Sequence, residues 1–281
     1  MKQRTSDRDE RTSALVKVSE AIAVSEIDAR EARLLLAEVS GFSQASLIGC
    51  AETVLPDSVL EGFLSLAEKR KQGLPIAYLL GRKEFYGLEL AVNPSVLIPR
   101  PETELLVELA LERNPASVLD LGTGSGAVAL AIKRHRPAAR VVAVESDFSA
   151  LLIARRNAAR LNLEVDFRHG RWFTPVPGER FELVVSNPPY VACGDPHLAD
   201  LKFEPQSALL AGPDGLDSIR DIARGAAAHL LPGTWLLLEH GLGQDGAVRG
   251  LLERAGLEAV TTWPDLAGIA RVSGGKCGGK R

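Results

Sequence analysis

The sequence predicts an α/β fold, a mostly parallel seven-stranded sheet preceded by a small helical bundle and a β-hairpin. Three observations carry that prediction. Residues 13–72 place apolar side chains at three- and four-residue steps with no β-rich run between them. From Ala116 onward, short apolar runs alternate with amphipathic stretches, the pattern of strand and helix in turn. The last two apolar runs are joined by too few residues for a crossover helix, so the final strand is expected to run antiparallel.

The elements follow in order. Residues 1–12 are polar and charged and are expected to be disordered, with no apolar segment of a secretory signal. Leu15, Val18 and Ile22 form one stripe, Ala32, Leu35, Leu36 and Val39 a second, and Leu60, Phe63, Leu64 and Ala67 a third. Gly41 and Gly73 stand where helices stop. These stripes define a helical domain over residues 13–80. Around Gly87, the residues Phe85, Tyr86, Leu88, Leu90 and Val92 read as a hairpin, part of a linker over residues 81–100. Residues 101–273 form the main domain. Its expected strands are 117–121, 140–145, 165–168, 182–186, 234–239, 258–263 and 269–272. Its expected helices are 127–135, 149–161, 218–230 and 248–255. The glycine-rich stretch 274–281 reads as a flexible tail.

Composition narrows the class. Hydrophobic residues are 46% and charged residues 25% of the 281-residue chain, the balance of a globular protein. No apolar run reaches the ~20 residues of a membrane span, so no membrane association is expected. Three scattered cysteines suit a reducing cytoplasm. A net charge of −3 argues against a nucleic-acid partner. The five histidines neither cluster nor form a zinc-binding pair, and no metal is expected.

Three segments carry chemistry. In Val118-Leu119-Asp120-Leu121-Gly122-Thr123-Gly124-Ser125-Gly126, a strand runs into a glycine turn that opens a helix. Gly122, Thr123, Gly124, Ser125 and Gly126 let the backbone approach a ligand closely, beside the free amides of a helix start. The spacing is G-x-G-x-G rather than the G-x-G-x-x-G of a dinucleotide site. A purely structural turn is the alternative. Glu145 ends the next strand, where a carboxylate can accept from both ribose hydroxyls of a nucleoside. Ser186-Asn187-Pro188-Pro189-Tyr190 ends another strand. The Asn187 side-chain oxygen can accept one N–H and the Pro188 carbonyl a second, steering the lone pair of an amide or amine nitrogen. Pro188 and Pro189 stiffen the backbone, and Tyr190 can pack over a flat acceptor. Trp172 is either a stacking partner for a purine or a core side chain.

With these residues in view, the chain resembles the release factor glutamine methyltransferases, over roughly residues 27–276. The likeness extends to Pro75–Gly81, Glu84–Leu88, Val96–Glu104, Phe203-Glu204-Pro205, Leu237–Gly241 and Asp265–Arg271. The resemblance implies a Rossmann-like, class I fold dependent on S-adenosyl-L-methionine. Residues Gly122–Gly126 would hold its methionine part, Glu145 its ribose and Trp172 its adenine, and Asn187 would also contact the cofactor. Asn187 to Tyr190 would hold the acceptor, with Asn187, Pro188 and Tyr190 closest to the chemistry. The implied reaction is methylation of N5 of the glutamine in the Gly-Gly-Gln tripeptide of class I release factors. The helices of residues 13–80 would dock that protein. The chain departs from the family's usual residues at three positions. Glu145 stands for Asp, Arg171 for an Asp before the tryptophan, and Thr234 for a glycine. The alternatives are a ribosomal-protein glutamine methyltransferase and an N6-adenine or N2-guanine nucleic-acid methyltransferase. A non-catalytic nucleotide-binding module is the reading from another class.

Overall fold

In the computed structural model the described residues are 16–279, so the expected disorder of residues 1–12 falls outside them. The chain divides into two compact units between Leu80 and Gly81.

The first unit is helical. Its helices are α1 (Val18–Val24), α2 (Ala29–Ser40), α3 (Gln44–Gly49), α4 (Asp57–Lys71) and α5 (Ile76–Leu80). Asp28 caps α2 by accepting from the amides of Arg30 and Glu31, and Ser43 caps α3 by accepting from Ser46. Gly41, at φ +73°, ends α2 in the left-handed conformation that glycine adopts without cost. The sequence stripes face inward over the described residues, Leu15 lying outside them. Val18, Ala21, Leu35, Leu36, Leu47 and Phe63 form one buried cluster. Arg70 of α4 grips Glu31 of α2 through Nε and Nη2, at 2.7 and 3.0 Å.

The second unit opens with a hairpin, β1 (Arg82–Phe85) and β2 (Leu88–Ala91). It continues with α6 (Glu104–Glu112), β3 (Ser117–Leu121), α7 (Ala127–His135), β4 (Arg140–Glu145), α8 (Phe148–Leu161), β5 (Asp166–His169) and β6 (Phe181–Ser186). Then come α9 (Asp217–His229), β7 (Leu230–Glu239), α10 (Asp245–Arg254), β8 (Leu257–Pro264) and β9 (Ala270–Cys277). The sheet order is β5-β4-β3-β6-β7-β9-β8. All neighbours from β5 to β7 are parallel, and β9 runs antiparallel to both β7 and β8.

Alternate residues of each strand feed opposite faces. Val118, Val141, Ala143, Leu183 and Val185 pack with α6, α7 and the hairpin side chains Phe85 and Leu90. Leu119, Leu121, Val142, Val144 and Val184 pack with α9 and α10. Both faces are buried, which is why these strands are nearly continuous apolar runs.

Two expectations need correction. The hairpin is not a separate linker. Phe85, Leu88 and Leu90 belong to the main core, and Asn157 of α8 pairs with both the amide and the carbonyl of Ala91. Residues 274–277 are not a flexible tail. They complete β9 between β7 and β8, with Gly274 opposite Leu237 and Thr261. A Cβ on Gly274 would lie 2.6 Å from the Leu236 carbonyl oxygen and 2.7 Å from Leu237 Cδ2. The glycine therefore marks close packing in the sheet interior, not a loose end. Residues 280 and 281 lie outside the described range.

Candidate active site

β3 leads to β4 and β5 on one side of the sheet, while β6 begins the other side. The order reverses between β3 and β6, and in open α/β sheets ligands sit in the crevice outside the carboxyl ends at such a point. The segments singled out in the sequence leave the sheet there, after Leu121, Glu145 and Ser186. They line a cavity of about 310 Å³ that includes Thr103, Asp120, residues 122–125, Glu145, Trp172, Asn187 and Pro189. That volume lies within the range of small-molecule sites.

The glycine loop is tied to its neighbours. The amides of Gly122 and Thr123 both donate to the Val144 carbonyl, at 2.8 and 3.0 Å. Gly122, Gly124 and Gly126 have φ of +71°, +56° and +86°, which a residue bearing Cβ adopts only with strain. Nothing stands within 4 Å of where a Cβ on Gly124 would point, so the loop leaves room there. Thr123 Oγ1 donates to Asp120 Oδ2 at 2.6 Å. Complete burial pushes the Asp120 carboxyl up to about 7. Bonds from Thr123 and the Ala129 amide oppose the rise, and the Glu145 charge adds to it.

Glu145 is 8% exposed at the tip of β4. Oε2 accepts from the Gly124 amide at 2.9 Å, while Oε1 accepts from the amides of Ser146 and Asp147 at 2.8 and 2.9 Å. The side chain, longer than the usual Asp, curls onto its own turn and stitches the glycine loop to β4.

Trp172 packs against the same loop. A Cβ on Gly122 would meet its Cζ3 at 3.4 Å. Its buried Nε1 has no hydrogen-bond partner among the described residues, an unspent donor in a wall of the crevice. Arg171 lies 5.7 Å over the indole and pairs with Asp221 at 3.0 Å, so it offers no acceptor where the family's Asp would.

Asn187 also lines the cavity, and its Nδ2 donates to Thr103 Oγ1 at 3.0 Å. Pro188 is buried, and Pro189 lines the cavity beside Asn187. Tyr190 points back into the protein. Its hydroxyl donates to Glu239 at 3.4 Å, and burial raises its pKa. Gln244 braces its backbone, donating from Nε2 to the Tyr190 carbonyl at 3.0 Å. Neither Pro188 nor Tyr190 is among the residues that line the cavity: the Tyr190 ring lies beside Gly241 and its hydroxyl serves the scaffold.

Sequence reasoning missed several supporting side chains. Asn157, 1% exposed, also donates to the Ser125 carbonyl at 2.9 Å and so ties the hairpin to the glycine loop. Its signal was available, since a lone polar residue sits on the buried stripe Ala150, Ala154, Asn157, Ala158. Glu204, 6% exposed, pairs with Arg100 and accepts from the Ile98 amide, fixing the segment that leads to Thr103. Thr103 and Glu239 are the other two; like Glu204 they lie in segments that carry the family likeness, but nothing in those segments points to a role at the site.

Comparison with known proteins is decisive on kinship. Family profiles described as the PrmC N-terminal domain and the Methyltransferase small domain match residues 13–81 and 101–200. The Release factor glutamine methyltransferase of Xylella fastidiosa is 49% identical over 92% of this chain and 97% of its own length. That of Neisseria gonorrhoeae is also 49% identical, over 92% and 96%. The chain belongs to the release factor glutamine methyltransferase family. Among solved structures, the 16S rRNA N2 G1207 methyltransferase of Thermus thermophilus, in complex with AdoMet and guanosine, is 26% identical with a TM-score of 0.53. That match covers 69% of this chain and 49% of the other. In this member of the release factor glutamine methyltransferases, the crevice between β3 and β6 is lined by the glycine loop, Glu145, Trp172 and Asn187.

Proposed function

We propose that the chain transfers a methyl group from S-adenosylmethionine to N5 of the glutamine in the Gly-Gly-Gln tripeptide of class I peptide chain release factors. The observation that carries this reading is Asn187. Its nitrogen is engaged by Thr103 inside the crevice, which leaves its oxygen to accept from a substrate amide. Family membership supports the choice of acceptor.

The residues fit the cofactor. The open space above Gly124 suits the methionine part, the Glu145 carboxylate the ribose, and the unspent Trp172 donor and ring the adenine side. When bound, S-adenosylmethionine supplies a methyl group made electrophilic by the positive sulfur. The task left to the chain is positioning. Asn187 Oδ1 accepts one N–H of the glutamine amide and the Pro188 carbonyl accepts the other, aiming the nitrogen lone pair. The proton that becomes acidic on N-alkylation is already hydrogen-bonded to one of these acceptors, so no strong base is needed before attack. The test is turnover with intact release factor against the same factor carrying Glu or Asn in place of its tripeptide glutamine. Only the glutamine form is expected to yield S-adenosylhomocysteine, and equal turnover on all three would contradict the reading.

Glu145→Ala removes the ribose acceptor and leaves three loop amides without their carboxylate. With hydrogen bonds to charged groups worth about 1.5–3 kcal/mol, cofactor Kd should rise ~10–100-fold by calorimetry. Unchanged affinity would remove Glu145 from the cofactor site.

The helical unit, residues 13–80, supplies affinity for the release factor in this reading, and the setting is the cytoplasm where release factors work. Val24 and Ile48 are exposed aliphatic side chains on this unit, at 65% and 67%. Val24→Asp with Ile48→Asp should raise KM for intact release factor about tenfold at constant kcat. KM within twofold of the parent would leave the docking role without support.

A further inference from the structure

We infer that Gln244 is a positioning residue for the methyl transfer, resting on the roles proposed above for Asn187 and the Pro188 carbonyl. Its side-chain amide clamps the backbone at Tyr190 and so holds the segment Asn187–Tyr190 in the conformation that presents those two acceptors.

Gln244 stands just before α10, at the end of the turn that leaves β7. Gly243, at φ +75°, and a bond of 3.2 Å from the Gln244 amide to the Gly241 carbonyl close that turn. The side chain then spans two loops. Oε1 accepts from the Gly241 amide at 2.8 Å, and Nε2 donates to the Tyr190 carbonyl at 3.0 Å. Each bond fixes the sense of the other. A flipped amide would set Nε2 against an N–H and Oε1 against a carbonyl oxygen. Gly215 approaches the same carbonyl from a third segment. At φ +73°, a Cβ there would lie 2.3 Å from the Tyr190 oxygen and 2.8 Å from Gln244 Nε2. A side chain at position 215 would enter the clamp, which is a packing reason for glycine at this place.

The Tyr190 carbonyl matters because of the residues before it. Upstream, the segment is anchored where Ser186 Oγ donates to the Leu121 carbonyl at 2.6 Å and Asn187 Nδ2 to Thr103 Oγ1 at 3.0 Å. Pro188 and Pro189 each fix a φ angle and every peptide is planar, so few torsions remain between Asn187 and the Tyr190 carbonyl. Downstream, the peptide joining Tyr190 to Val191 is held on both sides. Its carbonyl accepts from Gln244, and its N–H donates to the Leu209 carbonyl at 2.8 Å. With both bonds the plane of that peptide is set; with one it can rock about the other. The Pro188 carbonyl belongs to the peptide that joins Pro188 to Pro189, and Pro189 lines the cavity. A rocking anchor at Tyr190 therefore passes straight into the direction of that carbonyl.

The test uses two full-length variants. Gln244→Met keeps an unbranched side chain and removes both bonds. Gln244→Glu, as a carboxylate, still accepts from Gly241 but has no proton for the Tyr190 carbonyl. The first readout is nuclear magnetic resonance of protein labelled with carbonyl-¹³C tyrosine, which gives three tyrosine signals. Tyr190 is assigned by the loss of its signal in Tyr190→Phe. This readout needs neither cofactor nor substrate, so it stands even if the acceptor assignment fails. The Tyr190 signal should move upfield in both variants as its hydrogen bond is lost. The second readout is kinetic. In both variants kcat on release factor should fall about 10–100-fold, the cost of a misplaced reacting group. Cofactor Kd and KM for release factor should stay within about twofold of the parent, because binding is left intact. An unmoved Tyr190 signal in both variants overturns the inference whatever the acceptor. A moved signal with kcat at the parent value overturns the positioning role, as does a fall in kcat matched by a loss of cofactor affinity. Should the parent methylate a different acceptor, kcat is read on that acceptor and the same outcomes decide. If Gln244→Met does not fold, Gln244→Glu decides by the same criteria.

Discussion

Asn187→Ala is expected to lower kcat by ~10²–10³-fold, the cost of removing one preorganised polar group aimed at a reacting centre. The cofactor should bind within about threefold of the parent, because its other proposed contacts follow β3, β4 and β5, not β6. These are Gly124, Glu145 and Trp172, which line the same crevice. The substitution also removes the donor to Thr103 Oγ1, a buried atom at 3.0 Å, so a modest fall in thermal midpoint should accompany it. Steady-state kinetics and calorimetry separate the two effects. Parallel loss of cofactor affinity would mean that Asn187 serves the cofactor rather than the acceptor. The amide lone pair is delocalised into its carbonyl, so the reaction depends on how the nitrogen is presented, and Asn187 is the side chain placed to present it.

The second large effect is on stability. Gly274→Val should destabilise the chain by about 3 kcal/mol, at the upper end of overpacking costs. For a domain of this size that lowers the thermal midpoint by about 6–12 °C. The new side chain would meet the Leu236 carbonyl, Leu237 and Trp263 at once, with a backbone atom among them that cannot swing away. Gly275 is held the same way against Leu257 and Val260. The same substitution at Gly279, where nothing lies within 4 Å of the added Cβ, should leave the midpoint within about 1 °C. A Gly274→Val protein as stable as its parent would contradict the placement of this glycine inside the sheet.

These two residues show what was legible in the sequence. Asn187 could be read because its chemistry is local: an amide acceptor, two prolines and an aromatic ring follow a strand in four consecutive residues. The glycine loop and Glu145 are legible for the same reason, each being a strand end with its ligand-facing groups attached. Strand and helix alternation fixes the order of elements, and the short last connection predicted the antiparallel β9. Gly274 misled because a glycine cluster near a chain end has two opposite physical meanings. One is freedom of the backbone, and the other is lack of room for a side chain. Only the neighbouring strands, which supply Leu236 and Leu257, distinguish them.

The supporting residues were hidden by distance along the chain. Asn157 meets Ala91 across 66 residues, and Asn187 meets Thr103 across 84. No period or spacing in either segment reports such a pairing. Glu239 reads locally as the polar end of an apolar strand, and its burial follows from where β7 lies beside β6. Arg171 could be recognised as a departure, but its pairing with Asp221 depends on the approach of α9.

The most direct test of the central claim is to incubate the protein with methyl-labelled S-adenosylmethionine and a purified class I release factor, then locate the label by mass spectrometry. Parallel reactions would offer ribosomal protein, rRNA and duplex DNA. One methyl group is expected on the side-chain nitrogen of the Gly-Gly-Gln glutamine, absent with Asn187→Ala. Label on another acceptor, with the release factor unmodified, would contradict it.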